Sequence, residues 1–146
     1  MGDFAAGQRV VVSPVGDHKI GTFICYESVF PNFVRKFAAG GAEVLFNISN
    51  DGWFGKSAAR MQHLSIVRMR AAENRRWILR STNDGITATI DSAGRLRGSL
   101  PLYTEATSYT GFTYESLKTM YTRFGDWFAL VCATIVLTCL VGERVM

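Results

Sequence analysis

Cysteine, histidine and proline are scarce in these 146 residues, which hold three cysteines, two histidines and three prolines. Cys25, Cys132 and Cys139 are odd in number and widely spaced, which argues against a disulfide framework. None sits with a histidine at zinc-site spacing, so no metal site is expected. His18 and His63 stand alone and read as structural or surface residues. Charge is thin as well, with 16 basic against 12 acidic side chains and a net charge of +4. The densest basic group (Arg68, Arg70, Arg75, Arg76 and Arg80) is too dispersed for a nucleic-acid stripe. It suits a solvated helix face with a few buried ion pairs. Met1-Gly2-Asp3-Phe4 is neither basic nor followed by a long apolar run, so no signal peptide is expected. Internal repeats and low-complexity tracts are absent.

What is present is apolar: 48% of the residues are hydrophobic, enough for one domain with a real core and too many for disorder. Val10-Val11-Val12, ended by Ser13-Pro14, reads as a strand and a turn, and His18 to Cys25 as a second, buried strand. Ser28 to Ala39 predicts a helix with Pro31 in its first turn and Gly40-Gly41 past its end. Glu43 to Ile48 is a further strand, and Ser49 to Lys56 a loop. Ser57 to Arg76 is the clearest soluble helix. Ala58, Met61, Ser65, Met69 and Ala72 share one of its faces. Strands follow at Trp77 to Arg80, at Ile86 to Ile90 and after the Ser92-Ala93-Gly94 turn, with one more expected over Thr107 to Thr113. The alternation predicts a layered α/β (α+β) domain over residues 1–118.

Residues 119–146 read as a linker and a terminal apolar helix. Trp127 to Val141 carries no charge and no proline and is apolar on every side. It is short for a span of about 20 residues, yet its terminal position and its Trp127-Phe128 edge favour a transmembrane helix with Arg144 at the far interface. Cys132 and Cys139 then serve as small packing residues.

Cys25 is the candidate nucleophile. It closes a strand and opens a helix, where backbone N–H groups favour a thiolate and can bind an oxyanion. Free cysteine at the end of an apolar strand is also a common packing residue, so position alone leaves both roles open. Glu27, two residues on, could orient a substrate or a base.

Neighbouring segments decide between them. Gly21-Thr22-Phe23-Ile24-Cys25-Tyr26-Glu27 resembles the nucleophile segment of the nitrilase (carbon-nitrogen hydrolase) superfamily. Ile48-Ser49-Asn50-Asp51-Gly52-Trp53-Phe54-Gly55 resembles a loop of the apolipoprotein N-acyltransferases of bacterial inner membranes. Gln62-His63, Arg68-Met69-Arg70-Ala71, Leu79 to Ala88 (LRSTNDGITA) and Thr122 to Trp127 (TRFGDW) fit the same family in order. The resemblance implies part of an αββα sandwich followed by one C-terminal transmembrane helix, with the catalytic domain on the periplasmic side of the inner membrane. It implies transfer of an acyl chain from a phospholipid, through a Cys25 thioester, to the N-terminal amine of a diacylglyceryl-cysteine lipoprotein, without a cofactor. Tyr26 would give its backbone N–H to the oxyanion, Glu27 would shape the amine site, and Trp53 would either contact a lipid chain or anchor its loop in the core.

The superfamily's glutamate base and its lysine lie upstream of the cysteine, and neither is found here. Lys19, on an extended strand, lies roughly 20 Å from Cys25 at about 3.3 Å per residue. The expectation is a fragment, roughly the last third of such a protein. A catalytically inactive membrane-anchored fragment and a nitrilase-like amidase stand as alternatives.

Overall fold

A computed structural model describes residues 7 and 9–145, with side chains through residue 142. The expectations placed on Met1 to Phe4 and on the Arg144 side chain lie outside that description. Six strands form one mixed sheet in sequential order: β1 (Val12–Val15), β2 (His18–Ile24), β3 (Val44–Ser49), β4 (Trp77–Thr82), β5 (Ala88–Ile90) and β6 (Leu96–Ser99). The central β2, β3 and β4 are parallel, and the outer pairings are antiparallel. Parallel neighbours need long crossovers. These are α1 (Pro31–Ala39) and α2 (Ala59–Asn74).

Both helices contribute to a single core. Phe23, Leu45 and Ile78 project from the three parallel strands into a cluster with Val34 and Phe37 of α1 and Leu64, Val67 and Ala71 of α2. Strand alternation sends the intervening residues to the opposite face, where Ile24 and Ile48 are exposed. A cleft of about 330 Å³ lies on that side, lined by Phe46, Leu79, Ser81 and Thr87 and by Tyr109 and Phe112.

Local chemistry explains where the elements depart from expectation. The first strand runs through Pro14, because β1 is an edge strand, where a missing N–H is tolerated. The helix expected from Ser28 divides in two. A 3-10 turn covers Cys25–Val29, and α1 starts at Pro31 because Phe30, preceding a proline, is extended (φ −95°, ψ 92°). The loop after β3 contains a 3-10 turn at Asp51–Phe54. The strand expected over Thr107 to Thr113 is a loop with no ladder partner; just beyond it Tyr114 stacks on His18 (centroids 3.5 Å apart) and the Glu115 N–H donates to the Glu43 carbonyl (3.0 Å). On α2, Met61 and Met69 face solvent, and the buried face is Arg60, His63, Leu64, Val67, Arg70, Ala71 and Asn74. Four arginines are buried (Arg60, Arg70, Arg76 and Arg80), more than a solvated face provides.

Residues 115–125 lie back on the helical layer. Buried Arg76 donates to the Leu117 carbonyl (2.6 Å) and the Ala42 carbonyl (2.6 Å). Thr122, fully buried in α3 (Met120–Phe124), donates to Asn74 Oδ1 (3.2 Å). Arg35 and Asn32 of α1 hold the Thr122 carbonyl and Asp126. Beyond this clamp α4 (Trp127–Val145) leaves the body with its described side chains exposed. Residues 127–142 are roughly 24 Å long at 1.5 Å per residue, against a hydrocarbon core of about 30 Å. No helix among the described residues is long and apolar enough to cross a membrane.

Gly21 marks the tightest approach of helix to sheet. A Cβ there would sit 2.8 Å from both Phe37 Cβ and Leu45 Cδ2. Gly21→Ala is expected to cost about 1–3 kcal/mol, read as a lower urea midpoint at unchanged slope. An unchanged midpoint would show that α1 packs elsewhere.

Candidate active site

Cys25 occupies the carboxyl end of β2, partly exposed, with φ at +49°. A left-handed backbone costs a non-glycine residue about 1–2 kcal/mol and is kept only where the surroundings enforce it. Continued extension of β2 would aim this side chain, like that of Phe23, into the helical layer. The left-handed turn redirects it.

Beneath Cys25 lies a buried polar network. Asp51, in the 3-10 turn after β3, is fully buried. Its Oδ2 accepts from Arg80 Nη2 at 2.5 Å, and its Oδ1 accepts from Ser49 Oγ (2.6 Å) and His63 Nδ1 (3.0 Å). Arg80, on β4, also donates to Asn47 Oδ1 on β3 and to the Ile86 carbonyl (3.2 Å). Asn47 donates to the Phe23 carbonyl on β2 (3.3 Å). His63 Nε2, on α2, faces Ser28 Oγ (2.9 Å) and the Cys25 carbonyl (3.2 Å). The network thus joins all three parallel strands to α2 and ends on the backbone of Cys25. Gly85 completes it, since a Cβ at that position would collide with the Asp51 carboxylate.

Burial alone would raise the Asp51 pKa. Hydrogen bonds from His63 and Ser49 and the charge of Arg80 outweigh it and hold the group at about 2. Burial also draws the Arg80 guanidinium below its ordinary value, against the opposing pull of Asp51.

The other expected site residues spread around this centre. The Tyr26 ring is exposed and meets Phe30 edge-on, with centroids 6.3 Å apart. Glu27 turns back on its own turn, accepting from the Ile24 N–H at 2.6 Å. Trp53 is 86% exposed, so it is not a core anchor. Cys132 and Cys139 lie far along the chain on α4, exposed and unbonded. Among the described residues no group of His, Cys, Asp and Glu could hold a metal ion.

The sequence does not mark Asp51, His63, Arg80, Asn47 and Ser28 as a site. Asp51, His63 and Arg80 lie inside quoted motifs, but Asp51 reads as part of a turn-rich loop, His63 as a lone structural or surface residue and Arg80 as part of a dispersed basic group. A usable signal was the phase of α2: His63, Val67, Arg70 and Asn74 recur at three- and four-residue steps with Leu64 and Ala71, which places polar side chains on the core-facing stripe.

The carbon-nitrogen hydrolase family matches residues 3–121. An apolipoprotein N-acyltransferase of Geobacter metallireducens is 40% identical over 132 residues, covering 90% of this chain and 25% of that protein. Another, of Pseudomonas putida, is 38% identical over 148 residues, covering 99% of this chain and 29% of that protein. The chain therefore spans less than a third of the length of these relatives. Among solved structures, the Nit3 protein of Saccharomyces cerevisiae, from branch 10 of the nitrilase superfamily, aligns with a TM-score of 0.58 at 19% identity, over 66% of this chain and 38% of its own. A mutant amidase from a Nesterenkonia species, carrying acrylamide on its active-site cysteine, aligns with a TM-score of 0.54 at 21% identity, over 68% of this chain and 41% of its own. At such identities these two likenesses concern the fold alone.

Asp51 makes a signed prediction. Its folded pKa of about 2 lies below the ordinary 3.8, so its contribution is present above pH 4 and is lost as pH falls from there through 2, an effect of about 2 kcal/mol. Urea midpoints measured between pH 6 and pH 2 should fall less steeply in Asp51→Asn than in the parent, although the variant starts lower because Arg80 loses its partner. Parallel acid limbs would remove Asp51 from the account.

Proposed function

This chain belongs to the carbon-nitrogen hydrolase family, and from that premise we propose that it forms part of an apolipoprotein N-acyltransferase whose nucleophile is Cys25. The observation that carries the reading is the left-handed Cys25 at the end of a parallel strand, with its carbonyl tied to a buried ionic network. The Cys25 thiol gives its proton to a base and attacks the ester carbonyl of a phospholipid, the C–O bond breaks, and the lysophospholipid alcohol leaves with that proton. The N-terminal amine of a diacylglyceryl-cysteine lipoprotein then attacks the thioester, an amide forms as the amine proton passes to the same base, and the Cys25 thiolate is released and takes that proton back. Two such half-reactions give ping-pong kinetics. The Tyr26 backbone N–H supports the oxyanion. Glu27 shapes the amine side by fixing the start of the turn at Ile24, and the exposed Trp53 meets a lipid chain.

Among the described residues no glutamate or lysine bonds directly to Cys25, His63, Asp51 or Arg80. Both relatives are more than three times as long as this chain, and we assign the base and the lysine, together with the second half of the αββα sandwich, to the part it does not span. The exposed face of β2 and β3, with Ile24 and Ile48, suits that second sheet. The same missing groups favour a second reading, in which the chain alone is an inactive membrane-anchored piece. We place the boundary between the catalytic domain and the membrane segment near residue 118. We also place α4 in the bacterial inner membrane with the domain in the periplasm, because Phe128, Leu130, Leu137 and Val141 are exposed; local bilayer thinning accommodates its short length.

Incubation with phospholipid vesicles should add one acyl mass to the peptide containing Cys25, and Cys25→Ala should abolish it. An adduct that persists in Cys25→Ala removes Cys25 as nucleophile, and no adduct in the parent chain favours the inactive reading. Membranes washed with alkaline carbonate should retain the chain; its release without detergent would put α4 outside the bilayer and revive a soluble amidase.

A further inference from the structure

We propose that His63 is a positioning residue whose Nε2–H holds the Cys25 carbonyl and thereby keeps the thiol turned out of the helical layer. The inference deepens the assignment of Cys25 as nucleophile and rests on it, but its geometry concerns the cysteine backbone and can be tested without acyl transfer.

The ring is 3% exposed and wedged between acceptors. Asp51 Oδ1 stands 3.0 Å from Nδ1, and the Cys25 carbonyl stands 3.2 Å from Nε2. The Ser28 hydroxyl, 2.9 Å from Nε2, can donate or accept. Phe54 meets the ring edge-on, with centroids 5.6 Å apart, and closes one side. The charged groups facing the ring are Asp51 and Arg80, whose Nη2 lies 3.3 Å from Nδ1; Arg70 reaches the same turn through the Ser28 carbonyl (3.4 Å). Asp51 is itself fixed by Arg80 and Ser49, so it fixes the ring plane in turn. Serving both oxygens takes two ring N–H groups, so the ring acts as an imidazolium beside the Asp51 carboxylate: Nδ1–H goes to Asp51 and Nε2–H to the one carbonyl whose residue has φ at +49°.

A hydrogen bond to a charged or polarised donor is strong enough to offset a left-handed backbone. Without it, Cys25 relaxes toward the extended continuation of β2. Alternation along the strand then carries its side chain to the side of Phe23, which is fully buried. The thiol becomes less accessible although nothing near the sulfur has changed.

The experiment is peptide-resolved alkylation by iodoacetamide of the full chain in detergent, with Cys132 and Cys139 as internal controls. Glutamine places an amide where Nε2 stands, and asparagine places one where Nδ1 stands. His63→Asn should therefore slow Cys25 alkylation about tenfold, and His63→Gln should stay within about threefold of the parent, with Cys132 and Cys139 unchanged in both. Equal slowing in the two variants, or no slowing in His63→Asn, overturns the proposal, because a ring that only fills space or only partners Asp51 is better replaced by asparagine. Ser28→Ala, a mild change, covers the case in which the His63 variants unfold. It should leave Cys25 alkylation within about twofold, and a tenfold fall would make Ser28 the holding group and overturn the assignment. Phospholipid incubation of the same samples separates the two claims. Alkylation that follows the predicted order in a chain forming no Cys25 acyl adduct refutes the acyl-transfer reading and leaves the His63 role supported.

Discussion

The buried pair of Asp51 and Arg80 is the constraint on which the rest of this site depends. Both side chains are excluded from solvent, and an ion pair so placed is stable only when its remaining donors and acceptors are matched. Matching them recruits most of the neighbourhood. Asp51 takes Ser49 and His63, and Arg80 takes Asn47 and Ile86. These partners lie on β3, on α2 and in the loop before β5, so satisfying one pair aligns the ends of β3 and β4, ties Asn47 to β2, and sets the rotation of α2. The requirement reaches even a residue with no side chain, since Gly85 leaves the space that the Asp51 carboxylate fills.

Precision at Cys25 follows from that alignment. A nucleophile on a strand end inherits the rigidity of the sheet, but the sheet alone would point it inward. The left-handed turn corrects the direction, and the network supplies its enforcement from below through His63. Trp53, the Tyr26 ring and the α4 surface, in contrast, are all open.

Much of this was legible in the sequence, and the failures have physical causes. All six strands and both crossover helices overlap the segments expected from apolar and branched runs, turn residues and three- and four-residue spacing, with β1 shifted to Val12–Val15. Boundaries failed where one residue dominated: Pro31 forced Phe30 into extension and cut a helix in two, while Pro14 was tolerated because β1 lies at an edge. The expected strand at Thr107 to Thr113 had the composition of a strand but no ladder to join. The site was half visible. Cys25, Tyr26, Glu27 and Trp53 were singled out by motif, whereas Asp51 and Arg80 were passed over because charged side chains are ordinarily solvated, and His63, alone in the sequence, carried no partner to mark more than a structural or surface role. Their burial is a tertiary property: each is tolerated only because the others are present, and no local window contains all three.

That mutual dependence is directly measurable. A double-mutant cycle joining Asp51→Asn and Arg80→Met, followed by urea unfolding of the full chain in detergent, isolates the coupling between the two groups. Each single variant leaves a buried polar group unpartnered and should cost about 3–5 kcal/mol, while the double variant should cost markedly less than the sum. Additive losses would mean that the two side chains act independently, and the buried pair would then not be the element that organises Cys25.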